Sequence, residues 1–388
     1  MVPFLCYYEN VCAKFICWQM LPAGTEIHSE GNGMKKGKYG WLMAMLLALA
    51  VMALTGCAGR KKLTEYGAKY LDCFDTITSV TVCMESEEKF RELEPELHAL
   101  LQEYHQLFDI YNNYDEMNNI KTINDNAGIQ PVEVDREIIN LLEFSRDVWK
   151  QTDGKVNVAM GSVLSIWHDY RTAGIQKPDL AQIPDLLRLE QADSHTDISL
   201  MEIDRTDSTV YLPDSAMQLD VGAVAKGYAV GKLCELLKER GITSAIVSAG
   251  GNVQTMGMRA DGTPWRVGIQ NPDTSSKNVY LHALRLTDMA LVTSGSYQRF
   301  YMVDGVRYHH IINPDTLMPW NEYLAVTILC RDSAMADALS TAVFNMPLEQ
   351  GKQLIESLED TEAIWVMPDG EEITSSGFDA YVDDGYGI

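Results

Sequence analysis

Apolar and polar residues recur along the chain in patterns that predict its first secondary-structure elements. Residues 71–84 carry an alternating run, FDTITSVTV at its centre, that is typical of a β-strand. Leucines and charged residues then recur at helical spacing over residues 85–111, and again over residues 137–152. Residues 154–215 have no periodic pattern and several Asp and Pro residues, so we expect this section to be rich in loops.

The second half of the chain alternates between predicted helices and short strands. A helix is expected over residues 222–240, and another over residues 334–345, capped by Ser333 and ended by Pro347. Strand-like runs occur at residues 245–248, 265–270, 280–286, 299–303, 306–312 and 325–330. Because strands and helices mix without regular βαβ alternation, the pattern predicts an α+β fold.

An apolar run near the start of the sequence has the layout of a secretion signal. Residues 34–56 begin with a basic segment, continue with the apolar residues 41–54 and end just before Cys57. The apolar run is too short to span a bilayer comfortably, which favours a cleaved signal peptide. Its end, Leu-Thr-Gly-Cys, resembles a bacterial lipobox, which implies cleavage before Cys57 and lipidation of the Cys57 thiol. An ordinary signal peptide followed by an incidental cysteine is the alternative.

These features divide the chain into four predicted segments. We expect residues 1–33 to be an artefact of the gene model and translation to start at Met34, since a signal peptide begins with its basic region. Residues 34–56 would be the signal peptide, 57–69 the lipidated cysteine with a polar tether, and 70–388 the functional domain. The expected location is the extracytoplasmic face of the bacterial cell membrane, held by acyl chains.

The charge balance excludes one class of partner. The sequence contains 31 Lys and Arg residues against 55 Asp and Glu residues, for a net charge of −24. Such a chain would repel phosphate backbones, so nucleic acid is not an expected partner. The same negative charge would repel an anionic membrane surface, so attachment to a membrane would depend on the lipid anchor at Cys57.

The eight cysteines include no CxxC pair and no zinc-type quartet. Cys73 and Cys83 could form a disulfide, but both lie in one predicted strand, where two cysteines usually do not pair. We therefore expect buried free thiols that act as small apolar side chains.

Two segments that contain glycine have the composition of ligand-binding turns. DVGAVAKG, residues 220–227, enters a predicted helix, where small residues let backbone amides approach a phosphate and Lys226 adds positive charge. Alternatively, Asp220 only caps the helix and Lys226 is solvated. Gly250 and Gly251 follow a predicted strand and suit either a planar ligand or an ordinary turn.

Oxygen-bearing side chains share one face of the predicted helix 334–345. Asp337, Ser340 and Thr341 are spaced by three and four residues, and their carboxylate and hydroxyl oxygens suit Mg²⁺ and not zinc. A solvated polar face is the alternative.

Two adjacent histidines, His309 and His310, lie in a predicted strand and therefore point to opposite faces. Only one of them can serve a given site as a general base or a phosphate contact, and they cannot act as an adjacent metal-binding pair.

Five segments match one protein family in both composition and order. They are DVGAVAKGYAVGKL, VSAGGNV, TSGSYQRF, YHHIINPDT and SAMADALSTAVF. Together they resemble the ApbE family of FAD:protein FMN transferases, over about residues 71–350. The resemblance implies an ApbE-like, T-fold-like α+β domain that binds FAD between subdomains and Mg²⁺ on the FAD pyrophosphate. Many members of this family are lipoproteins, which agrees with the lipobox.

The resemblance also implies roles for individual residues. Mg²⁺ would be bound by Asp337, Thr341, the neighbouring Ser340 and the backbone carbonyl of Ala223. The implied catalytic residues are Asp337, His310 and Lys226. The expected FAD contacts are Phe74, Tyr111, Lys155, Val156, Asn157, Asp220, Lys226, Gly250, Gly251, Thr293, His310 and Ile311.

Three positions depart from the family pattern. In HIINPDTLMPW, Asn313 and Leu317 stand where Asp and Gly are usual, and Asn157 stands where Asp is common. The loss of a carboxylate weakens any role as a base at these positions, but the expected metal ligands are present.

The implied reaction is transfer of FMN from FAD to a threonine of an acceptor protein, with Mg²⁺ as cofactor and AMP as the leaving group. The acceptors would be extracytoplasmic electron-transfer proteins with a short threonine-containing motif. Hydrolysis of FAD to FMN and AMP is one alternative, and a flavin- or solute-binding lipoprotein without catalysis is another. The three oxygen-bearing side chains on the predicted helix 334–345 argue against the second alternative, because a protein that only binds a ligand does not need them.

Overall fold

The computed structural model describes residues 62–383 and residue 385. The segment 1–33, the signal peptide 34–56 and the lipidation residue Cys57 lie outside the described residues, and what the sequence predicts for them stays a prediction. None of the described helices has both the length and the apolar composition needed to cross a membrane.

The described residues contain fifteen strands and eight α-helices. The strands are β1 (Thr64–Cys73), β2 (Thr76–Met84), β3 (Val132–Glu133), β4 (Glu202–Asp204), β5 (Thr209–Tyr211), β6 (Ala245–Ala249), β7 (Asn252–Met256), β8 (Trp265–Gln270), β9 (Tyr280–Leu286), β10 (Ala290–Gly295), β11 (Phe300–Val303), β12 (Val306–His309), β13 (Ala325–Cys330), β14 (Glu362–Val366) and β15 (Glu372–Thr374). The helices are α1 (Glu87–Leu107), α2 (Ile120–Asp125), α3 (Arg136–Gln151), α4 (Gly161–Gln176), α5 (Leu186–Asp193), α6 (Ala225–Glu239), α7 (Ser333–Phe344) and α8 (Leu348–Glu356).

An eight-stranded antiparallel sheet organises the domain. Its strands follow the order β1-β2-β6-β7-β10-β13-β14-β15. Smaller sheets pair β8 with β9, β11 with β12, and β5 with both β3 and β4. This mixture of helices and antiparallel strands confirms the predicted α+β class.

The middle strands of the central sheet are buried on both faces. Helices α6 and α7 pack on one face, where Val292 and Ile328 belong to the main apolar core. The β8–β9 ribbon covers the other face, against Leu291 and Leu329. Side chains alternate between the faces of a strand, so all six residues of β13 are buried, and five of the six are apolar.

The bounds predicted for the first strand are wrong. Residues 71–84 are not one strand, because β1 and β2 meet there at a turn formed by Phe74 and Asp75, with φ of 56° and 50°. The turn contains no Gly or Pro to mark it in the sequence. Because β1 begins at Thr64, residues 64–69 of the predicted tether belong to the central sheet.

The section 154–215 is less loop-rich than expected, since it contains α4 and α5. Helix α4 includes Gly161 and Gly174, which lower helix propensity and obscured the pattern. Both sites are too crowded for a side chain: a Cβ would lie 2.5 Å from the Gln218 carbonyl oxygen at Gly161, and 2.5 Å from the Tyr301 ring at Gly174. Tertiary packing therefore requires these glycines and stabilises the helix.

The residue that caps α7 is not the one expected from the sequence. The cap of α7 is Asp332, whose carboxylate accepts a hydrogen bond from Met335 N at 2.8 Å, and not Ser333, which is the first helical residue. Both are common capping types, so the sequence alone did not distinguish them.

Cys73 and Cys83 are buried free thiols, which confirms the expectation that they do not form a disulfide.

Candidate active site

A cavity of about 710 Å³ lies where several loops meet the amino-terminal part of α6 and one face of α7. This volume is within the range typical of small-molecule sites. Most of the predicted site residues line it: Phe74, Tyr111, Lys155, Val156, Asn157, Asp220, Ala223, Lys226, Thr293, His310, Ile311, Asp337 and Thr341. Residues that the sequence scatters over more than 260 positions therefore converge on one cavity.

Asp337 projects from α7 and is held by groups from two other elements. Its Oδ2 accepts hydrogen bonds from Gly227 N at 2.8 Å and from Asn252 Nδ2 at 3.1 Å, and Lys226 Nζ lies 3.8 Å away. Burial raises the pKa of Asp337, while Lys226 and the two N–H donors act in the opposite direction. A further cation in the cavity would favour the charged carboxylate.

Thr341 lies one turn after Asp337 and also faces the cavity. Its hydroxyl is 3.5 Å from the hydroxyl of Ser294, which lines the cavity from the end of β10. Ser340 is fully buried and lies outside the lining; its hydroxyl donates to the Asp337 carbonyl and contacts Ser294 Oγ, each at 2.8 Å. The structure thus places Ser340 as a support for Ser294 and not at the metal position expected for it.

The segment before α6 forms a tight turn over the cavity. Asp220 Oδ1 accepts a hydrogen bond from Gly222 N at 2.9 Å, and Lys226 Nζ donates to the Gly222 carbonyl at 3.1 Å. The helix begins at Ala225 with Val224 as N-cap, so the alternative in which Asp220 caps the helix is wrong. Burial raises the pKa of Asp220, against the effects of the Gly222 N–H and the positive Lys226.

The two histidines have separate roles, as their opposite orientation predicted. His309 is buried, donates from Nε2 to the Trp320 carbonyl at 3.0 Å and accepts from Ile311 N at 3.1 Å. His310 lines the cavity, and its buried Nδ1 has no hydrogen-bond partner among the described residues. Burial, and then the positive charge of Arg299, lower the pKa of His310 to about 3, so its imidazole is neutral near pH 7.

Aromatic residues form one wall of the cavity. Phe74 lies at the β1–β2 turn, and its backbone N–H donates to His105 Nδ1 at 3.2 Å. Tyr111 is over half exposed and lies against the His168 ring, with ring centroids 5.4 Å apart. These rings suit contact with a planar heterocycle.

The two asparagines that depart from the family pattern both donate hydrogen bonds that a carboxylate could not. Asn157 Nδ2 donates to the Thr196 carbonyl at 2.9 Å, and Asn313 Nδ2 donates to the Asn345 carbonyl at 2.8 Å. Both amides therefore fix backbone segments beside the cavity, which accounts for Asn at these positions.

Gly250 and Gly251 do not line the cavity. They form the β6–β7 turn with φ of 57° and 96°, a backbone conformation that favours glycine. A Cβ at Gly250 would lie 2.4 Å from Thr76 Oγ1. The ordinary-turn alternative is therefore the one that the geometry supports.

Comparison with known proteins decides the family. The sequence model of the ApbE family matches residues 74–365. The chain belongs to the ApbE family. It is 31% identical to the FAD:protein FMN transferase of Treponema pallidum (strain Nichols) over 363 residues, covering 89% of this chain and 96% of the relative.

Other ApbE proteins share the sequence and the fold. The FAD:protein FMN transferase of Vibrio cholerae is 26% identical over 354 residues, covering 88% of this chain and 98% of the relative. The crystal structure of the ApbE protein of Thermotoga maritima superposes with a TM-score of 0.72 at 26% identity, covering 83% of this chain and all of that chain. The flavin transferase ApbE from Vibrio cholerae gives 0.70 at 25% identity, covering 82% and 99%.

The donor set of this ApbE chain fits Mg²⁺. Asp337 and Thr341 present hard oxygen atoms from successive turns of α7, and Ala223 lines the same cavity. Both hydrogen bonds to the Asp337 carboxylate go to Oδ2, which leaves Oδ1 without a donor among the described residues. No sulfur or imidazole lies in this set, in agreement with a hard cation.

The cavity contains further polar residues that the sequence did not point to, among them His168, Arg171, Arg299 and Asn345. Arg171 Nη2 lies 3.1 Å from His168 Nδ1, three residues earlier on α4. Recognition of α4 would have placed this pair on one face. Asn345 is buried at the end of α7, four residues after Thr341, and its Oδ1 has no hydrogen-bond partner among the described residues.

Proposed function

We propose that this chain is a FAD:protein FMN transferase that uses Mg²⁺ to transfer FMN from FAD to a threonine of an acceptor protein. The threonine oxygen forms a bond to the FMN phosphorus, and the bond from that phosphorus to the bridging oxygen breaks. AMP leaves with the bridging oxygen, and the hydroxyl proton passes to a base. The named activity of the Treponema pallidum and Vibrio cholerae relatives supports this reaction.

One arrangement carries the proposal: a buried carboxylate and a hydroxyl face the cavity beside an ammonium group. Asp337 and Thr341 lie one turn apart on α7, and Lys226 Nζ is 3.8 Å from Asp337. Such a set suits a cation bound to a pyrophosphate, because the oxygens bind the cation and the lysine offsets phosphate charge. A protein that only holds a flavin has no need of it.

Each protein group has a distinct task in this proposal. Bound Mg²⁺ would neutralise charge on the pyrophosphate oxygens as the bond to AMP breaks. Gly227 and Asn252 keep the Asp337 carboxylate in one orientation. His310 is neutral near pH 7, since its pKa is about 3, and can accept a hydrogen bond from the attacking hydroxyl.

The test combines the purified full-length chain, FAD, Mg²⁺ and an acceptor protein that carries a candidate threonine. Mass spectrometry measures the acceptor, and chromatography measures AMP and free FMN. We expect the acceptor to gain one FMN for each AMP released. AMP with free FMN and an unmodified acceptor would establish hydrolysis instead, and intact FAD would establish a binding protein.

Asp337 of α7 and Asp332, the N-cap of the same helix, give a matched pair of variants. Asp337→Asn should lower Mg²⁺-dependent turnover by about 100-fold or more, because an amide does not replace a charged ligand. Asp332→Asn retains a capping side chain outside the cavity and should keep the wild-type rate. If Asp337→Asn keeps that rate as well, the metal position is wrong.

We further propose that a lipid on Cys57 anchors the protein to the extracytoplasmic face of the membrane. The basic segment, the apolar run and the Leu-Thr-Gly-Cys ending support this location. Labelling of cells with a radioactive fatty acid should mark the wild-type chain and a control variant of a buried domain cysteine, Cys234→Ser, but not Cys57→Ser. Labelling of the Cys57→Ser chain would refute the anchor.

A further inference from the structure

Three side chains with metal-binding chemistry lie together outside the cavity, at the end of β1. They are Asp72, Cys73 and His98, and their ligand atoms all lie within 4.8 Å of one another. No other group of three His, Cys, Asp or Glu donors is this close among the described residues. Neither the family resemblance nor the proposed reaction uses these residues.

An irregularity in β1 makes the cluster possible. Consecutive residues of a regular strand point to opposite faces, which would separate Asp72 from Cys73. The pairing of β1 with β2 shifts register between Tyr70 and Cys73, leaving Asp72 outside the ladder. The Cys73 sulfur and a carboxylate oxygen of Asp72 thereby lie within 4.8 Å of one another.

Helix α1 supplies the third donor in a fixed orientation. His98 Nε2 lies 2.9 Å from Asp72 Oδ2, and its ring stacks on Tyr70 with centroids 4.8 Å apart. Gln102, one turn further on, donates to the same Asp72 oxygen at 2.9 Å. If its side-chain amide rotates, Gln102 can present its oxygen in place of its nitrogen and provide a fourth metal ligand.

We propose that Asp72, Cys73 and His98 form a binding site for a zinc-class divalent cation. Thiolate, imidazole and carboxylate are the ligands that zinc takes in proteins, whereas Mg²⁺ avoids sulfur. The ligand atoms lie no more than 4.8 Å apart, which exceeds the edge of a zinc tetrahedron by only about 1 Å. This site is therefore chemically distinct from the oxygen donors of Asp337 and Thr341.

Metal binding replaces the proton of the Cys73 thiol. Burial, and then the negative Asp72, raise the pKa of the Cys73 thiol to about 12, so without metal the sulfur holds its proton. The bound cation takes the place of the thiol proton, which passes to solvent. Apparent affinity should therefore increase with pH.

The position of the site suggests what it stabilises. Cys73 is followed by the Phe74–Asp75 turn, whose two residues have positive φ and whose Phe74 lines the cavity. A cation that ties the end of β1 to α1 would restrain this turn. The site does not depend on the transfer reaction, so either proposal can fail without the other.

The experiment titrates Co²⁺, a spectroscopic substitute for zinc, into the reduced full-length chain with Mg²⁺ in excess. Mg²⁺ occupies hard-oxygen sites, and a thiolate-to-cobalt charge-transfer band reports sulfur ligation only. We expect the wild-type chain to develop this band, and added Zn²⁺ to remove it. His98→Ala, a partly exposed position that should fold, is expected to weaken Co²⁺ binding by about tenfold or more.

A second buried cysteine serves as the matched control. Cys83 lies in the adjacent strand β2 and is also a buried free thiol. Cys83→Ser should keep the band and Cys73→Ser should lose it. A wild-type chain without the band, or a band that survives both His98→Ala and Cys73→Ser, would overturn the proposal.

Discussion

Helices α6 and α7 touch at Gly227, and this contact offers a quantitative test of how the site is built. A Cβ at Gly227 would lie 2.3 Å from the Ser333 carbonyl oxygen and 2.6 Å from Asp337 Cβ. Neither atom belongs to the flexible end of a side chain, so the two helices would have to separate. The same residue donates its N–H to Asp337 Oδ2 at 2.8 Å.

The expected cost of Gly227→Ala follows from two opposing effects. Alanine gains about 1 kcal/mol over glycine inside a helix. Overpacking costs about 1–3 kcal/mol, and the upper end applies because the contacts are with backbone and Cβ atoms. We expect a net loss of about 2 kcal/mol in the free energy of unfolding. A shift of Asp337 by about 1 Å could also lower turnover by about 100-fold.

The same helix contains a matched control four residues later. A Cβ at Gly231 would meet nothing within 4 Å. Gly231→Ala should therefore increase the free energy of unfolding by up to about 1 kcal/mol and leave turnover unchanged. The two chemically identical substitutions should differ by about 3 kcal/mol.

Urea unfolding followed by circular dichroism measures the stability of both variants, and AMP release at saturating FAD measures turnover. The expected midpoints fall in the order Gly227→Ala, wild type, Gly231→Ala. The reasoning is refuted if Gly227→Ala is as stable and as active as Gly231→Ala, because the helices would then have room for a methyl group.

Three further predictions concern charge, pH and a turn. Lys226→Met should lower turnover by about 100-fold, measured as AMP release, since it removes the ammonium 3.8 Å from Asp337. Burial lowers the pKa of His309 to about 4, so its contribution to stability is complete above about pH 6.5 and lost as pH falls. His309 should contribute a loss of about 2 kcal/mol between pH 7.5 and pH 5 in urea unfolding, and because burial also lowers the pKa of His310, His309→Gln should remove only that part of the total loss. Gly250→Ala should destabilise by about 1–3 kcal/mol, because its Cβ would meet Thr76, yet leave FAD affinity in a binding titration unchanged.

Local patterns predicted the long elements and several site residues well. The helices α1 and α3 follow from apolar residues at helical spacing, which depends only on neighbours along the chain. Asp337 and Thr341 share a helix face for the same reason, and both line the cavity. The alternation that identifies β2 extends back to residue 71, past the Phe74–Asp75 turn, so this turn was not predicted.

Predictions failed where distant packing overrides the local pattern. Helix α4 contains glycines because Gln218 and Tyr301 occupy the space of their side chains, and these contacts cannot be inferred from residues 161–176. Ser340 has the spacing of a ligand but points into the core, because α7 is buried on nearly every side. Arg171 was missed together with its helix.

The sequence by itself determined the α+β class, the long amphipathic helices and the family, since these depend on periodicity and on short ordered motifs. Only the tertiary structure decided which polar groups face the cavity and what holds them. Asp337 is oriented by Gly227 and Asn252, which lie 110 and 85 residues away along the chain. Such contacts arise when helices dock on a shared sheet, and the free energy of that docking depends on the whole core and not on any local pattern.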